Sequence, residues 1–95
     1  MTDKSTCWVI FQEGRITDTR PRRCPHPAFE VYLTAAERAV LLHLLDGARH
    51  AATMAEHNVH FLDALKLVHR HGSADTRAVI ADSVRHVSGV IAAKN

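Results

Sequence analysis

The sequence predicts an α+β domain: a small N-terminal antiparallel β-sheet, built from a hairpin plus a third strand, followed by three to four packed α-helices. Three observations predict it. Apolar side chains alternate with a period of two in short runs between residues 6 and 33. From residue 34 to residue 93 they recur instead at helical spacing. All three prolines sit in one segment, residues 21–27, which separates the hairpin from the third strand. Residues 6–33 form the β-rich portion and 34–93 the helical portion of a single domain.

Residues 6–12 (TCWVIFQ) are rich in β-branched and aromatic side chains and read as a strand. Cys7, Val9 and Phe11 point to one face, Trp8 and Ile10 to the other. Both faces are apolar, so this strand belongs in the centre of the sheet. Glu13-Gly14 reads as a tight turn, a type I turn with a bulge. It pairs position 12 with 15, and by extension Cys7 with about Arg20. Residues 15–20 (RITDTR) return as a polar edge strand. Residues 21–27 (PRRCPHP) cannot be regular structure, because three backbone donors are missing. Residues 29–33 (FEVYL) alternate again, with Phe29, Val31 and Leu33 inward and Glu30 and Tyr32 outward.

Residues 33–47 (LTAAERAVLLHLLDG) carry the strongest helix signal. Thr34 and Glu37 make a capping box, Val40, Leu41, Leu44 and Leu45 recur at helical spacing, and Gly47 stands where a helix stops in the left-handed conformation. Apolar side chains cover more than half of its circumference, which predicts a central helix with neighbours on several sides. Residues 48–57 are alanine-rich and predict a short helix or the first turns of a longer one. Residues 58–71 (NVHFLDALKLVHRH) form a helix with Phe61, Ala64, Leu65, Leu67 and Val68 opposite Asp63, Lys66 and Arg70, stopped by Gly72. Ser73 or Asp75 caps a last helix with a stripe of Val79, Ile80, Val84, Val87, Val90 and Ile91. Asp82, Arg85, His86 and Ser88 face out.

The organising stretch resembles the opening helix of LuxR-type helix-turn-helix domains, with Leu33-Thr34, Glu37-Arg38, Val40-Leu41, Leu44-Leu45 and Gly47 in register. The resemblance covers about 15 of the 95 residues. It implies a second helix and then a recognition helix laid in the DNA major groove, with Asn58, His60, Lys66 and Arg70 facing the bases and phosphates. Past Gly47 the chain departs from the pattern. The apolar pair of the second helix falls on Thr53-Met54, and the recognition helix would open on Val59-His60-Phe61, which offers bases few hydrogen bonds.

Composition narrows function further. The net charge of +2 and pI of about 8.8 are too mild for a protein that coats nucleic acid. No run approaches the roughly 18 apolar residues of a membrane span. The opening MTDKSTCWVIF reads as neither a secretory signal nor an anchor. With two cysteines only, a cytoplasmic protein with free thiols is expected. Eight histidines are unusual: eight added protons take the formal charge from +2 to +10.

Residues 15–26 hold four arginines against one acid, a local +3. Arg15, Arg20, Arg22 and Arg23, with His26, are the expected partner contacts, since arginine forks on a proline-stiffened loop suit carboxylates at low ordering cost. His57 and His60 share a helical face and are the weak metal candidates, but no paired ligand motif accompanies them, and no metal or cofactor is expected. Cys24 and His26 flank Pro25, a geometry that does not bring imidazole to thiol. There is no nucleophile elbow, P-loop or dinucleotide fingerprint, so an enzyme is not expected.

These residues predict a small cytoplasmic regulator that binds a protein with an acidic surface, an inhibitor or adaptor of the kind that phages and mobile elements encode. DNA binding is the alternative partner class, with a homodimer through residues 73–93.

Overall fold

Ser5–Gln12 form β1, Arg15–Arg20 form β2 and Ala28–Leu33 form β3 in a computed structural model that describes residues 4–12, 15–22 and 28–93. The sheet order is β2-β1-β3, antiparallel throughout. β1 is central, as its two apolar faces require. The Glu13-Gly14 turn and residues 23–27, including Arg23, Cys24 and His26, lie outside the described residues.

Gln12 pairs with Arg15, but Trp8, not Cys7, pairs with Arg20. The one-residue slip is a β-bulge: Ile10 faces Asp18 while Phe11 faces Ile16, which leaves Thr17 as the extra residue. The bulge has a packing consequence. It reverses the facing of β2, so that Ile16 and Thr19, three apart, are both buried. Strict alternation would have exposed one of them.

Ala35–Arg49 form α1, Met54–His71 form α2 and Ala74–Ala93 form α3. The α1 capping box is complete: the Glu37 backbone N–H donates to Thr34 Oγ1 at 3.1 Å and the Thr34 N–H to Glu37 Oε1 at 2.9 Å. Gly47 does not end this helix. α1 continues to Arg49, and the His50 N–H donates to the Asp46 carbonyl at 3.0 Å. Gly47 instead lets the His60 ring approach, within 3.4 Å of where a Cβ would stand. Residues 48–57 are therefore divided between two helices, with Thr53 capping α2 through the Glu56 N–H at 3.1 Å.

The central helix is α2, not α1. Only Leu41 and Ala48 of α1 are buried, and Val40 is 51% and Leu42 43% exposed. α2 lies between α1 and α3 and buries Phe61, Ala64, Leu65 and Val68 against Val9, Val31 and Leu33 of the sheet. α3 contributes Ile80 and Val87, while Val79 falls off the buried stripe. Cys7 is a buried free thiol. Among the described residues no helix is long and apolar enough to cross a membrane.

The joint between α2 and α3 docks on the outer edge of β3. Gly72 bridges Val31, the Ser73 N–H donates to the Glu30 carbonyl at 3.2 Å, and the buried Thr76 hydroxyl donates to the same oxygen at 2.7 Å. Ser73 Oγ accepts from the Thr76 N–H and so caps α3. Gly72 is required here by space, since its φ is −81°. A Cβ would lie 2.7 Å from Thr76 Cγ2 and 2.8 Å from the Val68 carbonyl oxygen. Gly72→Ala is expected to cost about 1–2 kcal/mol in a denaturant melt through this overpacking. A wild-type midpoint would show that the joint is loose.

Candidate functional site

β2 is the edge of the sheet, and α1 runs beside it without packing tightly, which leaves a cleft between them. At one end, Arg15 from the start of β2 and Arg49 from the last turn of α1 both line it, together with the apolar Ile16, Leu45 and Phe61. This part measures about 230 Å³. His57, near the start of α2, completes the wall. Its Nδ1–H donates to the Ala48 carbonyl at 2.7 Å, one of the acceptors left unpaired at the end of α1, and its ring stacks on Phe61 at 5.9 Å. The cleft continues along Thr17, Leu42 and Leu45 as a second depression of about 340 Å³ that also includes Arg49.

The lining of the cleft carries both signs of charge. Its two acids already have partners: Asp18 accepts from Arg20 Nε at 2.8 Å and from the Thr19 N–H at 2.8 Å, and Asp46 faces His50 Nε2 at 3.3 Å. Arg15 and Arg49 form no ion pair among the described residues. Two guanidinium forks thus flank an apolar floor, an arrangement that can hold carboxylates bidentately.

Of the expected arginine set, the described members are Arg15, Arg20 and Arg22. Arg15 and Arg20 occupy opposite ends of β2, and Arg20 is held by Asp18. Arg22 is exposed beyond the strand, while Arg23 and His26 lie outside the described residues. Arg49, which takes the place beside Arg15, was hidden by the apparent stop at Gly47.

The residues expected to face DNA also divide. Asn58 and His60 are half-buried, with His60 turned to Gly47, whereas Lys66 and Arg70 are exposed on α2 and meet Arg85 of α3 across a groove. Met54–His71 is one uninterrupted helix, so no turn separates Thr53-Met54 from Val59. His57 and His60 are joined by no third ligand: among the described residues no three His, Cys, Asp or Glu side chains are placed to hold a metal ion.

A further polar cluster is structural. Lys4 Nζ donates to His71 Nδ1 at 3.1 Å, and His71 Nε2 donates to Glu37 Oε2 at 2.9 Å, tying the start of β1 and the end of α2 to the α1 cap. The Thr34 backbone N–H holds the Glu37 carboxyl below its ordinary 4.5; partial burial opposes this, and the Thr34 hydroxyl, His71 and Lys4 add to it. A depressed carboxyl stabilises the fold above its unfolded value, and that contribution is lost as pH falls through the lower folded value. The melting temperature of the wild type should therefore exceed that of Glu37→Gln above about pH 5, and the margin should narrow as pH falls below it. A margin independent of pH would remove the charge from this account. On β3, the Tyr32 hydroxyl donates to Glu30 Oε2 at 2.7 Å, which raises the phenol above its usual 10.0.

No protein-family model matches this chain, and neither the curated proteins nor the solved structures contain a match to it.

Proposed function

We propose that this protein is a small non-enzymatic regulator that acts in the cytoplasm by binding another protein, whose acidic surface lies in the cleft between β2 and α1. The observation that carries this reading is the convergence of Arg15 and Arg49, from two different elements, over the floor of Ile16, Leu45 and Phe61. An apolar floor supplies burial, and the flanking arginines supply direction and register. Exposed Leu42 extends the apolar contact along α1. Asp18 is paired with Arg20 within the chain, while Arg15 and Arg49 form no ion pair among the described residues and so are open to an incoming carboxylate.

The test begins with capture of the partner from a native lysate on immobilised protein, followed by titration of the purified pair over a salt series. The expected partner presents clustered Asp and Glu, and its affinity falls moderately with salt because rim charges are screened. The same series with duplex DNA should show no binding at comparable concentration. A steep linear loss of DNA affinity with log salt would reject the protein-partner reading in favour of phosphate contacts.

A further inference from the structure

Read along each helix, the charges nearly cancel: Asp63 offsets Lys66 and Arg70 on α2, and Asp82 offsets Arg85 on α3. In three dimensions they are sorted. Lys66, His69 and Arg70, three and four residues apart on one face of α2, meet Arg85 of α3 around a groove of about 490 Å³ floored by Ala81 and Val84. Neither Asp63 nor Asp82 lines it. Asp82 accepts from Arg85 Nη2 at the rim, where both side chains are largely exposed, a pair that contributes little and exchanges readily.

The small Ala81 side chain leaves the space, and Val84 gives it an apolar base. The volume lies within the roughly 300–1,000 Å³ of small-molecule sites. This groove shares no lining residue with the Arg15–Arg49 cleft, so its occupancy is independent of the protein-binding reading.

We propose that the groove between α2 and α3 binds a soluble organic phosphate, its phosphate held by Lys66, Arg70 and Arg85 and its apolar body resting on Ala81 and Val84. Two guanidinium groups and an ammonium match the charge and acceptor geometry of a phosphate dianion. His69, half-buried beside them, offers a further ring nitrogen. Inorganic phosphate would satisfy the cations but leave the apolar floor wet, and a neutral aromatic would do the reverse. The site therefore predicts a preference for a ligand that carries both parts.

Amide chemical shifts of the full chain titrated with phenyl phosphate test this. Saturable shifts are expected in residues 66–70 and 81–85, with a dissociation constant at least about tenfold below that for inorganic phosphate or phenol. Lys66→Gln with Arg70→Gln should weaken binding by about tenfold or more, at an unchanged melting temperature, while Arg49→Gln should leave it unchanged. Equal affinity for inorganic phosphate would reduce the site to a bare cationic patch and overturn the proposal. So would wild-type affinity in the double variant, shifts centred on the Arg15–Arg49 cleft, or duplex DNA displacing the ligand with a steep salt dependence.

Discussion

Leu65→Ala is expected to lower unfolding free energy by about 2–5 kcal/mol, among the largest effects of the single truncations at described residues. Leu65 is fully buried at the middle of α2, the helix flanked by α1 and α3 and backed by the sheet. Neighbours on every side limit how far the structure can collapse into the lost volume, so the cavity persists. Leu41→Ala should fall in the same range, because Leu41 is also fully buried. Leu44→Ala, half-buried on α1, should cost less than either. Denaturant melts of the three variants decide the ranking. If Leu44→Ala proved the most damaging, α1 and not α2 would be the centre of the core.

Thr76→Val is expected to cost about 1–3 kcal/mol although it conserves shape. The Thr76 side chain is fully buried, and its hydroxyl lies 2.7 Å from the Glu30 carbonyl and 3.0 Å from Ser73 Oγ. Valine replaces the donor with a methyl and leaves the Glu30 oxygen with the longer bond from the Ser73 N–H alone. The loss falls where the α2–α3 joint is hydrogen-bonded to the Glu30 carbonyl of the sheet. Thr76→Ser keeps the hydroxyl and should retain most of the stability. Faster hydrogen exchange at Ser73 in the valine variant would locate the damage; equal stability of all three proteins would mean that the bond is not formed in solution.

The α+β class, the central position of β1 and the capping box of α1 were legible because each rests on local signals that agree: alternation on two apolar faces, and a Thr34–Glu37 pair at capping distance. Four features were not. The bulge at Thr17 depends on which β2 side chains reach the core, and only the packed sheet decides that. Gly47 carries the residue type of a helix stop, yet its hydrogen bonds continue, because His60 uses the missing Cβ as room to pack. The apolar circumference of α1 suggested the central helix, but in a three-helix order the middle element takes neighbours on both sides, which left Val40 and Leu42 exposed. Thr76 reads as an ordinary polar residue, since its partner lies 46 positions away.

The candidate site was half legible. Arg15 stands out in the charge count, but Arg49 joins it only through the fold. The same holds for the second groove, whose cations are balanced along each helix and sorted only between helices.

We propose that Arg15 and Arg49 hold the partner protein. This is tested most directly by calorimetric titration of the captured partner against the wild type, Arg15→Ala/Arg49→Ala and Arg20→Ala/Arg22→Ala, each with its melting curve. The cleft account predicts a loss of about 2 kcal/mol or more in affinity for the first pair, a much smaller loss for the second, and melting within about 0.5 kcal/mol of wild type for both. Wild-type affinity in a folded Arg15→Ala/Arg49→Ala protein would contradict it.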